Sequence, residues 1–200
     1  METIDKNLEV IEDEKPTKEP KNIRKEILSW ISLLALAVLL AFFINNVIIV
    51  NASVPTGSMR ATISEGTRLV AFRLSYLFSE PERFDVVVFS SPDQTGISYV
   101  KRIVGLPGDR LEIVGGRVFV NGSDEPLYEW YLYEPPGGLS LTPQNFTIPE
   151  NSFFVMGDNR NDSRDSRGLG RDPWNNLFVP RENIMGRAAF SYFPRIGSIR

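Results

Sequence analysis

Apolar residues are distributed along this chain in two different ways, and the change falls near residue 50. Residues 27–44 form one uncharged and mostly apolar run of 18 residues, ILSWISLLALAVLLAFFI. A helix of that length spans about 27 Å, which is close to the thickness of a bilayer core. Asn45 and Asn46 interrupt the run before four further apolar residues. The helix is therefore expected to end between residues 44 and 50.

Two other structures share this pattern, namely a buried core helix and a cleavable signal peptide. The run is longer than the apolar region of a signal peptide, which has about 7 to 15 residues. Val50-Asn51-Ala52 is also only a passable cleavage site. We therefore interpret residues 27–50 as a transmembrane anchor helix.

After residue 50 the apolar residues fall in short runs that are typical of β-strands. Several runs alternate apolar with polar residues, and Gly115-Gly116 between two of them is a signal for a two-residue hairpin. The pattern predicts a mainly β protein in which a single N-terminal transmembrane helix precedes an all-β domain. Residues 121–147 are rich in turn formers and predict no defined element. The runs are rich in Val, Ile and Phe and cover residues 67–74, 84–89, 97–104, 110–114, 117–121, 152–156 and 184–193.

These patterns divide the chain into three parts. Residues 1–26 are polar, lack aromatic residues and are expected to form a disordered tail. Residues 27–50 form the anchor, and residues 51–200 are enough for one domain with its own core.

The flanking charges predict the orientation of the anchor in the plasma membrane. In the flank just before the helix, residues 15–26, basic residues outnumber acidic ones, and the next basic residue after the helix is Arg60. The positive-inside bias then places the N-terminus in the cytoplasm and the domain outside it. The basic residues are Lys15, Lys18, Lys21, Arg24 and Lys25, against Glu19 and Glu26.

The amino-acid composition excludes several kinds of functional group. With 22 Lys and Arg against 25 Asp and Glu, the net charge is −3, which gives no support for nucleic-acid binding. The chain has no cysteine and no histidine. This excludes disulfides, cysteine-ligated zinc, cysteine nucleophiles and the Ser-His-Asp triad. Hydrolysis would have to use Ser, Thr, Lys, Asp or Glu, and we expect no metal and no cofactor.

Two segments contain a candidate nucleophile and a candidate base. Ser58 follows Gly57 in an expected turn just after the anchor, although most Gly-Ser pairs in loops are only turn residues. Lys101 lies in an apolar strand on the same face as Tyr99 and Ile103. A lysine on the solvated face of an edge strand is the alternative interpretation. Without histidine, a serine nucleophile needs another base, and a buried lysine with a lowered pKa is the known substitute.

A third segment concentrates opposite charges directly after an apolar strand. A calcium loop fails on spacing, because it would need a ligand at Arg160 and glycine at Ser163. A solvated charged loop is the simplest alternative. We predict instead a structural Asp-Arg network that holds Ser163 toward Lys101, formed by Asp158, Arg160, Asp165 and Arg167.

Together the three segments resemble the ordered signature motifs of bacterial type I (leader) signal peptidases. The resemblance covers residues from about 27 to 194 in order and spacing. It is carried by Ser58-Met59, by YVKRIVGLPGD at residues 99–109, and by Gly157-Asp158-Asn159-Arg160 followed by Ser163, Asp165, Ser166 and Arg167.

The resemblance implies a mainly β catalytic domain and a division of roles. Ser58 would be the nucleophile, Lys101 the general base, and Ser163 a hydrogen-bond partner of the lysine amine. The Ser58 N–H and the Thr56 hydroxyl would stabilise the oxyanion, as preorganised donors do. Small residues, typically Ala, would be preferred at the first and third positions before the cut.

The sequence departs from the commonest family pattern in three places. Thr56 replaces a frequent Ser, but its hydroxyl is an equally good donor. Arg60-Ala61-Thr62-Ile63 stands where a Pro-Thr-Leu ending is frequent. Residues 168–177 look longer than the usual connection to the next strand.

The expected function is therefore a membrane-bound serine endopeptidase that removes signal peptides from secreted preproteins. Its partners would be preprotein signal peptides and the lipid bilayer. Because Ser58 follows Ile44 by 14 residues, nearby apolar side chains are expected to rest on the membrane interface, with Phe72, Tyr76, Leu77 and Phe78 as candidates. The alternatives are a self-cleaving Ser/Lys regulator and a catalytically inactive, membrane-anchored β-domain adaptor.

Overall fold

The computed structural model describes residues 23–91, 96–136, 143–168 and 178–200. The expected disordered tail lies outside the described residues except for residues 23–26. Most of the long connection at residues 168–177 and part of the unassigned stretch at 121–147 also lie outside them.

One long helix stands at the start of the described chain. Helix α1 covers Ile23–Phe43, and a π-helical turn, Ile44–Ile48, follows it. The Asn46 side chain donates a hydrogen bond to the Phe42 carbonyl at 2.8 Å, within this turn. No side chain of α1 is buried, and the segment from Ile23 to Ile48 is long and apolar enough to cross a membrane. The described residues fall into two units, residues 23–41 and the described part of residues 42–200.

The second unit is built from antiparallel strands in two sheets. In the described residues the larger sheet has the order β1-β2-β10-β3-β4-β8-β9, and β11 pairs with β10. The smaller sheet has the order β6-β5-β7. The strands are β1 (Ile49–Val54), β2 (Thr67–Phe72), β3 (Val86–Ser90), β4 (Ser98–Gly105), β5 (Arg110–Val114), β6 (Arg117–Val120), β7 (Gln144–Thr147), β8 (Ser152–Met156), β9 (Val179–Pro180), β10 (Ile184–Phe193) and β11 (Gly197–Ser198).

The predicted mainly β fold with one N-terminal apolar helix is confirmed. Each of the seven predicted runs overlaps one strand to within one residue at its C-terminal end or contains it whole. The Gly115-Gly116 turn joins β5 to β6, with Val114 paired to Arg117. Both glycines have positive φ, +55° and +80°. A tight hairpin of this type requires positive φ, which residues with a Cβ atom rarely adopt.

Four strands were not predicted from the sequence. The first, β1, begins within the apolar stretch that continues the helix, so its hydrophobicity is indistinguishable from that of the anchor. The others, β7, β9 and β11, have four, two and two residues, too few to show a period.

An apolar core lies beneath the loop that follows β1. Met59 directly follows Ser58, and Ile63 lies five residues after it. Both pack with Val54, Leu69 and Val86 in one buried cluster. Full burial of a methionine or isoleucine side chain stabilises a fold by about 1.5–3 kcal/mol. The two side chains therefore fix the turn at Ser58 to the domain core.

The apolar residues expected at the membrane interface separate into two groups. Phe72, Leu77 and Phe78 are exposed, and Phe78 retains 88% of its accessible surface. Tyr76 does not belong with them, because it is buried and donates a hydrogen bond to the Asp85 carboxylate at 2.8 Å. Burial and the neighbouring Asp85 raise the pKa of the Tyr76 hydroxyl.

Candidate active site

Ser58 lies in a single 3-10 turn, Gly57–Met59, four residues after the end of β1. The turn closes with a hydrogen bond from the Arg60 N–H to the Gly57 carbonyl at 3.1 Å. The Ser58 side chain is buried, with 5% of its residue surface accessible. The serine is therefore presented on a short, fixed turn beside the sheet.

Lys101 lies in a central strand and not on a sheet edge. Strand β4 is flanked by β3 and β8, and Lys101 pairs with Val87 of β3. The lysine is buried, and its Nζ donates a hydrogen bond to Ser58 Oγ at 2.6 Å. The alternative of a solvated edge lysine therefore does not apply.

Burial lowers the pKa of the Lys101 amine from 10.5 to about 8. Desolvation is the largest cause, because a buried ammonium loses its hydration. The carboxylates of Asp165 and Asp158 act in the opposite direction, and the Arg167 guanidinium lowers the pKa further. Near pH 8 a large fraction of the amine is therefore neutral and able to accept a proton.

Thr56 and two open clefts surround this pair. The Thr56 hydroxyl oxygen is 3.4 Å from Ser58 Oγ. A cleft of about 450 Å³ is lined by Thr56, Ser58, Tyr99, Lys101, Asp162 and Arg164. A second cleft, of about 130 Å³, shares Ser58 and Lys101 and runs between residues 53–56 and 97–101. Ser58 and Lys101 therefore line both clefts.

Ser163 lies close to the Ser58 turn but does not bond to the lysine. Its Oγ is buried and makes no hydrogen bond to the Lys101 amine, so the bond that the resemblance implied is not formed here. It lies close enough to Asp165 to help lower the pKa of that carboxyl. Gly157 lies against both Ser163 and the Ser58 turn. A Cβ at Gly157 would stand 2.6 Å from Ser163 Cβ and 2.5 Å from the Ser58 carbonyl oxygen. Ser163 is thus packed on the backbone of Gly157.

Of the four charged residues in the predicted network, only Asp165 and Arg167 pair with each other. Asp165 accepts two side-chain hydrogen bonds from Arg167, both at 2.8 Å, and one from the Gly157 N–H at 3.0 Å. Arg167 also donates to the Arg160 carbonyl at 2.8 Å. Burial alone would raise the pKa of Asp165, but Arg167 and the Gly157 N–H hold it below its ordinary value. The pair ties both ends of this charged loop together.

Asp158 pairs instead with Arg102, a residue that the sequence analysis did not single out. The guanidinium of Arg102 donates to both carboxylate oxygens, at 2.9 and 2.8 Å, and both side chains are fully buried. Thr62 donates to the same carboxylate at 2.5 Å. Arg102 follows Lys101 in β4, so the bidentate pair fixes the charged loop to the strand of the lysine.

Arg160 pairs with Glu129, which lies in the stretch where the sequence predicted no element. The Tyr131 hydroxyl donates to the same carboxylate at 2.6 Å. Glu129 is separated from Arg160 by 31 residues, and no periodicity or motif marks it as a partner.

The described residues contain no group of three or more acidic side chains placed to hold a metal ion.

The described residues thus combine a mainly β domain with clefts that Ser58 and Lys101 both line. The sequence profile of the family described as "Signal peptidase, peptidase S26" matches residues 27–193. The chain therefore belongs to the signal peptidase family, peptidase S26, and is a hydrolase.

Individual relatives agree with this assignment. The signal peptidase I of Leptolyngbya laminosa is 35% identical over 182 residues, which cover 86% of this chain and 84% of the relative. The probable signal peptidase I-1 of Synechocystis sp. is 36% identical over 187 residues, covering 90% and 87%. A crystal structure of a signal peptidase I from Enterococcus faecalis V583 matches 55% of this chain and 97% of its own, with 29% identity. Its TM-score is 0.36, so the assignment does not depend on it.

Asp165→Asn is expected to lower stability as well as activity. The change leaves the Arg167 charge buried without its full partner, which costs about 3–5 kcal/mol. Since the pKa of Asp165 is held low, its contribution to stability is present above the unfolded-state pKa and is lost as the pH falls. Thermal unfolding and peptide cleavage measure the two effects.

Glu80→Gln is the matched control, because Glu80 makes an exposed pair with Arg181 whose loss costs less than about 1 kcal/mol. Complete inactivation of Asp165→Asn with unchanged melting would contradict a structural role and indicate a direct catalytic one.

Proposed function

We propose that this chain is a membrane-anchored endopeptidase that removes signal peptides from secreted preproteins by a Ser58/Lys101 dyad. The observation that carries the proposal is the 2.6 Å contact between Lys101 Nζ and Ser58 Oγ, at an amine whose pKa is lowered to about 8. Lys101 is the only lysine after Lys25, so no other amine side chain of the domain is available as a base. Arginine cannot take this role, because its guanidinium stays protonated.

The reaction begins with proton transfer inside the dyad. The neutral Lys101 amine takes the hydroxyl proton of Ser58 as Oγ attacks the carbonyl carbon of the scissile peptide bond. The Ser58 N–H and the Thr56 hydroxyl donate to the resulting oxyanion. The ammonium then gives its proton to the leaving nitrogen, which departs as the new N-terminus of the mature protein. The signal peptide remains attached to Ser58 as an ester.

Hydrolysis of this ester reverses the roles. Lys101 takes a proton from a water molecule as the water oxygen attacks the ester carbonyl carbon. When the intermediate collapses, the proton returns to Ser58 Oγ and the signal peptide leaves with a free carboxylate. The dyad is thereby restored to its starting protonation state.

The lining of the smaller cleft supports a preference for small apolar residues before the cut. Its volume is about 130 Å³, against about 450 Å³ for the larger cleft, and Val54, Ile97 and Val100 are among its lining residues. Alanine side chains are small and apolar enough to pack against this lining. This supports the Ala-X-Ala preference that the family resemblance implies.

The buried lysine also favours an enzyme over an inactive adaptor. The shift of the Lys101 pKa from 10.5 to about 8 corresponds to about 3 kcal/mol by which burial disfavours the ammonium. An adaptor gains nothing from that cost, and a mutation to an apolar residue would relieve it. A self-cleaving regulator would use the same dyad, but its usual nucleic-acid-binding part is not suggested by a chain of net charge −3.

The position of the exposed apolar side chains supports lipid contact. They lie at the end of the second unit where β1 begins. Phe72 pairs with Ile49, the first residue of β1 after the apolar helical segment. Arg73 donates a hydrogen bond to the Ile49 carbonyl at 3.4 Å, which ties the turn before Leu77 and Phe78 to the same end. We propose that these exposed side chains rest on the membrane interface.

The dyad predicts a specific pH dependence and response to mutation. Cleavage of an Ala-X-Ala preprotein should rise about tenfold per pH unit below the Lys101 pKa and level off above about pH 8. Ser58→Ala and Lys101→Arg should both lower the rate by about 10⁴-fold or more, because one removes the nucleophile and the other the base. Lys101→Ala should also be inactive, with little loss of stability.

The stability of the wild type should itself rise between about pH 8 and 10.5, where the unfolded chain binds more protons than the folded chain.

Initial rates in detergent across pH and thermal unfolding at matched pH provide these measurements. Retained cleavage in Lys101→Arg, with Ser58 still required, would mean that another group activates the serine.

The orientation of the anchor predicts which side of the membrane exposes the domain. Arg24 and Lys25 precede the apolar segment, and the next basic residue is Arg60. Protease added to intact spheroplasts should therefore digest the domain from about residue 55 onward. Protection in spheroplasts together with digestion in inverted vesicles would reverse the proposed orientation. A cytoplasmic protein that resists digestion in the same sample shows that the spheroplasts are intact.

The exposed apolar side chains predict that the domain binds lipid without its anchor. A truncated protein of residues 49–200 should float with phospholipid vesicles, and Leu77→Ser with Phe78→Ser should reduce the floating fraction severalfold. Tyr128→Ser is the matched control, since it removes an exposed aromatic side chain from a different part of the chain. The proposed surface is wrong if the folded truncated protein does not float, or if the control reduces flotation equally.

A further inference from the structure

Asn159 makes two hydrogen bonds to the turn that carries Ser58. Its backbone N–H donates to the Ser58 carbonyl at 3.0 Å, and its Nδ2 donates to the Gly57 carbonyl at 3.1 Å. Asn159 is buried, with 3% of its surface accessible. It therefore holds two consecutive peptide groups of the turn from a loop about 100 residues further along the chain.

The Gly57 carbonyl and the Ser58 N–H belong to the same peptide group. A trans peptide is planar, so its carbonyl and its N–H point in opposite directions. The Gly57 oxygen accepts from the Arg60 N–H at 3.1 Å as well as from Asn159. The Arg60 bond lies inside the turn and moves with it, whereas the Asn159 bond fixes the turn to another part of the domain. Fixing this oxygen also fixes the direction of the Ser58 N–H.

We infer that Asn159 is a positioning residue that aims the Ser58 N–H at the oxyanion of the transition state. The inference rests on the proposed function, in which this N–H is an oxyanion donor. Asn159 acts through the backbone of Ser58 and touches no reacting atom.

The chemistry of the side chain supports this role. Asn159 Oδ1 is buried and has no hydrogen-bond partner among the described residues, so the amide is held here by its donor alone. The neighbouring Asp158 is paired with Arg102, which restrains the backbone beside Asn159. An aspartate at position 159 would instead place a carboxylate oxygen against the Gly57 carbonyl oxygen.

The test compares Asn159→Ala and Asn159→Asp with the wild type in the full chain in detergent. We expect kcat to fall about 10- to 100-fold with KM within about threefold, because a small displacement of a catalytic donor affects the transition state and not ground-state binding. The pH midpoint of cleavage should stay unchanged, since Lys101 is not altered. A peptide aldehyde that forms a hemiacetal with Ser58 should lose affinity in proportion to kcat. Asn161→Ala is the matched control, because Asn161 lies in the same loop, is exposed and bonds to Glu134 at 2.7 Å.

Each other outcome overturns the inference. Wild-type kcat in both variants would show that the turn holds its own geometry. A shifted pH midpoint would show that Asn159 acts on Lys101, and a loss that only follows the unfolded fraction would show a purely structural role. Ser58→Ala in the same assay distinguishes failure of this inference from failure of the proposed function. Retained cleavage in Ser58→Ala would refute the proposed function itself.

Discussion

The contact between the Lys101 amine and the Ser58 hydroxyl is the interaction on which the remainder of the site depends. The two groups are 2.6 Å apart in a buried place, where an ammonium is disfavoured. Burial favours the neutral form of the Lys101 amine, and this burial depends on a central strand and a packed turn. Both are present, because Lys101 lies between two neighbouring strands and the residue after Ser58 is packed in the core.

The charged loop after β8 organises this contact without supplying a base. Asp165 and Arg167 close the loop on itself, and Asp158 fastens it to Arg102 in the strand of the lysine. Buried charges are tolerated here because each is paired and hydrogen-bonded. The carboxylates also oppose the lowering of the Lys101 pKa, so the value of about 8 is a balance between burial and these charges.

Gly157 shows how closely the loop and the serine turn are packed. Any side chain there would collide with both Ser163 and the Ser58 carbonyl. The same approach allows Asn159 to reach the carbonyls of the turn. A loop that supplies no catalytic group in the proposed mechanism thus contacts the backbone of the proposed nucleophile directly.

The sequence by itself determined the element types and the chemistry that remained available. Period-two alternation and glycine pairs predicted the strands, because these signals are local and depend only on neighbouring residues. The absence of histidine and cysteine left Ser58 and Lys101 as a plausible pair. The sequence also placed Asp158 and Arg160 in a charge network but not with their actual partners.

Only the tertiary structure decided which distant groups meet. Arg102 looked like one more strand residue, and Glu129 lay in a stretch without periodicity, yet each pairs with a charge from the loop after β8. The Ser163 hydroxyl was expected at the lysine amine and is packed on Gly157 instead. Such contacts depend on how β4, β8 and the intervening loops pack in three dimensions. That packing is set by many weak, non-local interactions, which leave no short-range pattern in the chain.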